Sequence, residues 1–479
     1  MRIRTRVLTL ALFLLTGLLA ASTTSAGAAK PRVDVRARPF AFTAQHVPAD
    51  FTEPSAIVTS KGTALFCGPL GLGDMAEGVV RTTDWKTFEN FEVSSPIGGG
   101  GDCDIKEGAD GALYLTDLQA FGATVHKSTD DGATWEFVWQ EPIEEDRQWL
   151  ATDPTDPNVV YLAYHDLTAE AEIVSKSTDG GQTFVQHAVV TNELALAPDT
   201  FPNTFSGPIR VDPSDPTRVY LAYGISSLGG NAHQCVHNTG ACPFGDPLAV
   251  IVAASADGGA TWKNNVALST PFGHVLGNIF PWLTVDRAGN VYAMAAGHIP
   301  GPRGEEQYGV FVSVSKDHGA NWSTPFKINK RNGATVFPTM VAGDAGIVDF
   351  AWVEASTQDQ GAPENVWRVH FAQSRNMLSG KPRFVDIAGP VMRRGNVCTL
   401  GINCTEGREL GDFFEISLDA FGYAHIAVSS TEPEPLHILY WRQDAGPSAY
   451  GEPCKNPKQP RGCAFSRPFP GPALSRYVD

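Results

Sequence analysis

Basic residues are scarce. Lys and Arg number 36 against 52 Asp and Glu, giving a formal charge of −16, and no cluster of basic side chains offsets it. Such a surface repels phosphate backbones, so nucleic acid is excluded as an expected partner. No CxxC pair occurs, which argues against zinc even though His233 and His237 flank Cys235. Convincing amphipathic helices are absent, and beyond the N-terminus no run is apolar enough to span a bilayer. Gly 48 and Pro 34 exceed average usage but fall short of a disordered or collagen-like composition. With 42% hydrophobic and 10% aromatic residues the chain can build a real core. Its 479 residues alone would suggest about three domains.

The N-terminus reads as a secretory signal of bacterial type. Arg2, Arg4 and Arg6 precede an apolar stretch over residues 7–21, and Ala26-Gly27-Ala28 offers a small-residue cleavage site. Residues 1–28 are therefore expected to be removed and the protein to be secreted, with no transmembrane segment in the mature chain. Eight cysteines suit that compartment. Cys235 and Cys242, Cys398 and Cys404, and Cys454 and Cys463 lie close enough in sequence to close local loops, which leaves Cys67 with Cys103.

A short motif recurs. It reads Ser128-Thr129-Asp130-Asp131-Gly132-Ala133-Thr134-Trp135 and returns around Asp179, Asp257 and Asp317, each with Ser two residues before and an aromatic residue five after. A shortened copy spans Thr83 to Phe88. The chemistry is that of a tight hairpin. The Asp carboxylate accepts hydrogen bonds from turn N–H groups, Gly supplies positive φ, and the Ser ties the ends. These aspartates are read as structural rather than catalytic. The motif resembles the Asp-box, or bacterial neuraminidase repeat, of the sialidase-like β-propellers. That resemblance implies a propeller fold but not an activity, because the same box occurs in binding propellers and in other glycosidases.

Between the boxes lies a second repeat. Seven segments, at 56–67, 105–115, 149–164, 209–223, 282–294, 340–352 and 416–428, each hold an apolar strand, a turn and another apolar strand. Aligning the turns equates Leu65, Tyr114, Tyr161, Tyr220, Tyr292, Asp349 and His425. A third alternating strand, the box or its remnant, and a fourth strand follow. Four antiparallel strands repeated radially make a propeller blade. The fold expected is all-β: one seven-bladed β-propeller over residues 51–445, with the box hairpins on one face. Six blades, usual in enzymes of the resembling family, are the alternative. Residues 29–50, or the tail, would close the ring, and the Cys/Pro-rich tail 446–479 would pack on it. The protein is expected to be a monomer.

The box turns are short and uniform, whereas loops 224–247, 297–308, 354–365 and 388–411 are long and varied. In a propeller these long loops lie on the face where the innermost strands begin, so a site is expected there. The residues opening the innermost strands include Thr52-Glu53-Pro54, Gly101-Asp102-Cys103, Asp146-Arg147-Gln148 and Asp412-Phe413-Phe414. Glu53, Asp102, Asp146 and Asp412 would thus meet at one end of the central channel. Arg147 and His165 lie beside them, and Arg408 precedes the last strand. Crowded carboxylates raise one another's pKa and a nearby Arg lowers it, which can separate a general acid from a base or nucleophile. Glycosidic hydrolysis commonly uses such a pair. Asp146 and Asp412 are the expected pair, with Asp102 and Glu53 tuning them. Arg147 and Arg408 would bind an anionic group. His165, Trp149 and Trp282 are further candidate substrate-binding residues; in the binding reading Trp149 and Trp282, with Phe280, Phe337 and Phe413, would line the mouth and stack on sugar rings, although such residues are more often core. No cofactor is required, although an acidic ring could hold Ca²⁺ or simply cap strand ends.

Sialidases hold the substrate carboxylate with three arginines, the first in a Phe/Tyr-Arg-Ile-Pro motif, and use a Tyr–Glu nucleophile with an Asp acid/base. Here the matching stretch is Phe51-Thr52-Glu53-Pro54, with Thr52 in the arginine's place. Arg147, Arg210 and Arg408 lie at or near innermost strands, and Tyr164 and Tyr308 are nucleophile candidates by loop position only. The expected function is a secreted glycoside hydrolase related to exo-α-sialidases, with a non-standard site, acting on extracellular glycans. The alternative is a non-catalytic propeller that binds a glycan or a protein.

Overall fold

The computed structural model describes residues 40–451 except 50, 72–73, 121, 144, 192–199 and 228–245, together with residues 475–478. Strands fold into seven small antiparallel sheets arranged radially, in sequence order in all but the last. The chain is a seven-bladed β-propeller. Among the described residues the only helical piece is the 3₁₀ turn Gly401–Asn403.

Blade 3 shows the pattern, with Glu145–Thr152 innermost, then Val160–Asp166, Ala171–Ser177 and Gln186–Val189 at the edge. The second strand, Val-Tyr-Leu-Ala-Tyr-His-Asp, is buried over its first six residues, because neighbouring blades cover both of its faces. This explains why the second strands read as continuous apolar runs rather than alternating ones. Blades 1, 2, 4 and 6 open with Ser55–Val58, Cys103–Glu107, Thr200–Val211 and Thr335–Ala342. In blade 5 the innermost position is split between Val275–Leu276 and Trp282–Val285, both paired to Val291–Pro300.

Blade 7 is closed from the N-terminus. Its own strands are Glu415–Leu418, Ala424–Ser430 and His437–Ala445. The fourth is Ala41–Val47, which pairs with His437–Ala445 on one side and with Ser475–Val478 on the other. The closing sheet thus takes one strand from within residues 29–50 and one from within the tail. Phe42 anchors the seam, its ring 4.5 Å from Trp441 and 4.8 Å from Phe371.

The repeat turns have the hydrogen bonding that their composition implies. Ser128 Oγ donates to Asp130 at 2.9 Å, Gly132 N donates to Ser128 Oγ, and Thr134 donates through both its N–H and its hydroxyl to Asp130. The same set recurs at Asp179, Asp257 and Asp317. These donors hold Asp130 and Asp257 down at about 2. Each turn also docks on the preceding blade. The faces of Gly132, Gly181 and Gly259 abut Leu65, Tyr114 and Tyr161, three of the positions equated by the second repeat. Lys127 and Lys176 reach across to the carbonyls of Gly180 and Gly258 at 3.1 and 2.9 Å. The motif is thus a clamp between blades as well as a hairpin.

Two disulfides lie among the described residues. Cys67–Cys103 ties blade 1 to blade 2, and Cys398–Cys404 staples the loop before blade 7. Cys235, Cys242, Cys454 and Cys463, His233 and His237, and the signal segment 1–28 lie outside the described residues.

Candidate functional site

The innermost strands begin on one face, and their first residues surround a cleft of about 890 Å³. Glu53, Asp102, Asp146 and Asp412 all line it, together with Arg408, Thr52, Phe51, Leu70, Leu167 and Phe280. The four carboxylates come from the adjacent arc of blades 7, 1, 2 and 3. The backbone that delivers Glu53 is unusual. Its φ is +52°, and the equivalent residues of blades 5 and 6, Phe280 and Phe337, have φ of +43° and +54°. Each precedes a proline. A non-glycine residue held there costs about 1–3 kcal/mol and persists only when its surroundings fix it. Ser429 does part of this for Glu53 by accepting from its N–H at 3.2 Å. Gly411 does another part, because a Cβ at this position would lie 2.1 Å from Glu53 Cγ and its φ is +75°.

Arg408 is the one basic side chain among the described residues lining the cleft. Its Nη2 lies 2.7 Å from Asp412 Oδ2 and 3.2 Å from Glu53 Oε1. The disulfide-stapled loop aims it: Cys398 N donates to Gly407 O at 2.9 Å, and Gly411 N donates to Arg408 O at 2.8 Å. Burial pushes Asp146 up to about 7, and the charges of Asp102 and Asp412 add to this. Burial also raises Asp412 to about 6, with Arg408 holding it back. Glu53 is raised well above the ordinary carboxylate range, by burial first and then by Asp102 and Asp412. The arc therefore holds carboxyl groups of unequal acidity facing one cleft, which is the arrangement general acid–base chemistry uses.

Several residues expected to touch a ligand lie beneath the cleft instead. Arg147 is fully buried, its guanidinium sandwiched 3.7 Å from the Trp149 ring and 3.9 Å from that of Phe413. It donates to Cys103 O at 3.0 Å and sits 3.4 Å from Asp102 Oδ2. From there it steadies Asp102 and does not line the cleft. Trp149 and Trp282 do not line it either. Both are buried, they pack edge to face at 5.3 Å, and their indole N–H groups are spent on Ser206 O and Met340 O. With Phe413 they plug the channel rather than line its mouth, as large aromatics in a tapering core do. His165 is buried and hydrogen-bonded to Glu172 at 3.0 Å. Burial lowers its pKa, but Glu172 and then Asp146 outweigh that and raise it. It pairs with Asp146 across the strands without lining the cleft. Arg210 borders a separate cavity of about 320 Å³ with Lys106 and Glu415.

Sequence reading missed the apolar wall of Phe51, Leu70 and Leu167, and two further acidic residues of the cleft, Glu406 and Glu409. It also missed Glu77, fully buried in blade 1 and raised by its burial and then by Asp117, Asp102 and Glu53. A lone Glu in the apolar run Ala76–Val80 was the available signal.

No protein-family model matches the chain, and neither does any curated protein sequence. Solved structures do resemble it. A polysaccharide lyase of family PL25, an ulvan lyase bound to -[GlcA(1-4)Rha3S]-, aligns with a TM-score of 0.52 at 12% identity, over 82% of this chain and 95% of its own. An α-L-arabinanase from Penicillium chrysogenum complexed with arabinobiose aligns at 0.42 and 10% identity, over 84% and 97%. NanB with Optactamide aligns at 0.40 and 11%, over 85% and 70%. At these identities the likeness is one of fold.

Proposed function

We propose that the protein is an exported glycoside hydrolase, built on the sialidase plan but without its arginine clamp, that cleaves a glycosidic bond in an extracellular glycan. The observation that carries this reading is the convergence of Asp146 and Asp412 on one cleft, both raised by burial, with Arg408 beside Asp412 holding it back. Asp146, protonated, gives its proton to the glycosidic oxygen as the bond to C1 breaks. Asp412, ionised, either attacks C1 or takes a proton from the attacking water, and water finally supplies H to the leaving group and OH to C1. Glu53 and Asp102 set the acidity of the pair, and Arg408 orients Asp412.

Charge narrows the substrate. Thr52 leaves a neutral hydroxyl where an arginine clamp would start, Arg147 is buried, and Arg408 is already engaged by two carboxylates. A sialic acid or uronate at this point would meet mainly negative charge, so the sugar bound here is an uncharged one. The test is a panel of arabinosides, sialosides and uronic polysaccharides, with released sugar read by chromatography. Release from a neutral glycan, lost at least about 100-fold in Asp146→Asn, is the expected result. Turnover of uronic polysaccharides alone, leaving an unsaturated sugar, would replace hydrolysis by elimination. Binding without turnover would replace it by a lectin role.

A further inference from the structure

Away from the carboxylate cleft, a second cluster joins two paired strands of blade 5 and the turn that leads into the blade. His274 lies on the turn entering blade 5, His298 on strand Val291–Pro300, and Glu306 on the paired strand Glu306–Ser315. Strand register brings them together. Val275 pairs with His298, and Pro300 pairs with Glu306 across a tight turn closed by Gly301 N donating to Glu305 O at 2.7 Å. Both imidazoles point Nδ1 at the same oxygen, with Glu306 Oε2 lying 3.1 Å from His274 and 3.0 Å from His298. One ligand atom from each of the three residues falls within 4.8 Å of the others. His298 is fixed by burial and by stacking on Tyr308 at 5.0 Å, whereas Glu306 keeps 43% of its side-chain exposure.

We propose that His274, His298 and Glu306 form a binding site for a divalent cation of the zinc class. Two imidazoles and a carboxylate are the donor set that such borderline ions prefer over Ca²⁺ or Mg²⁺, which favour all-oxygen cages. Bonds of about 2.0–2.1 Å in a tetrahedron set neighbouring donor atoms about 3.3 Å apart, so the two imidazole–carboxylate distances need only a small expansion to admit the ion. The exposure of Glu306 leaves a side of the ion open to water. The site would tie the entry to blade 5 to its central hairpin. It lies on the same face as the carboxylate cleft, since the turn between second and third strands belongs to that face. His298 also borders a cavity of about 260 Å³ with Tyr308, Asn278 and Asp359.

The test titrates the full exported chain, stripped with a chelator, with Zn²⁺ by calorimetry and with Co²⁺ by visible absorption. Expected are one ion per chain, the intense Co²⁺ bands of a tetrahedral nitrogen/oxygen site, and a Tm raised by about 3 °C at a hundredfold excess over Kd. His274→Ala, on an accessible turn, and Glu306→Gln are each expected to weaken Zn²⁺ at least about tenfold without lowering the Tm of the metal-free protein. No saturable Zn²⁺ uptake by the wild type would overturn the proposal, as would unchanged uptake in His274→Ala.

Discussion

Replacing Arg408 with methionine removes the cation from the cleft while keeping the side-chain stem. In the wild type its Nη2 stands 2.7 Å from Asp412 Oδ2. Unit charges about 4 Å apart at an effective dielectric of about 20 attract by about 4 kcal/mol. The Arg408 side chain keeps 35% of its exposure, so solvent screening leaves about 1–2 kcal/mol acting on Asp412, or about one pH unit. The sign follows from the roles. Asp412 works ionised, so kcat/KM rises with pH through about 6; Asp146 works protonated, so kcat/KM falls through about 7. Without Arg408 the ascending limb should move up by about one pH unit, into the descending limb, and the bell should shrink. The assay is kcat/KM against pH for both proteins on the same glycan. An ascending limb that stays in place, with full height, would refute the assignment of Asp412 and of its partner.

Other outcomes follow from the same geometry. Asp146 has its pKa raised from 3.8 to about 7 in the fold, so the folded state holds a proton that the unfolded chain releases, and this carboxyl costs stability as pH rises through that window. Asp146→Asn should therefore raise Tm at pH 7.5 and leave it nearly unchanged at pH 4, as read by calorimetry. Gly411→Ala places a Cβ against Glu53 in the left-handed region and should cost about 2 kcal/mol or more in urea unfolding, with activity falling in parallel. Trp149→Ala removes a channel plug rather than a sugar platform, so it should destabilise the fold by about 3–5 kcal/mol. Glycan KM in the fraction that remains folded should be little changed.

The fold was legible because each blade repeats the same physical solution. Four box turns and seven strand pairs carry their period in the sequence, whereas the docking of each turn on Leu65, Tyr114 or Tyr161 of the preceding blade appears only in the fold. Closure was legible only as a choice between residues 29–50 and the tail, because Ala41–Val47 joins blade 7 by pairing with residues nearly 400 positions away, and that register leaves no local pattern. The carboxylate arc was readable because innermost strands all begin at one face, so equivalent positions must converge. Depth was not. Arg147 follows Asp146 directly, yet one side chain lines the cleft and the other lies beneath it, as successive residues of a strand diverge. Trp149 and Trp282 are of a type more often core than platform, and their buried N–H partners place them in the core. The cluster at His274, His298 and Glu306 gave no spacing signal, because register across three strands assembles it.

The central claim is that the carboxylate arc cleaves a glycosidic bond, and the most direct measurement is single-turnover release of sugar by wild type and by Asp146→Asn at pH 6.5. The account predicts release from a neutral glycan by the wild type, with a rate at least about 100-fold lower in the variant and its glycan affinity retained. Equal rates in the two proteins would contradict it.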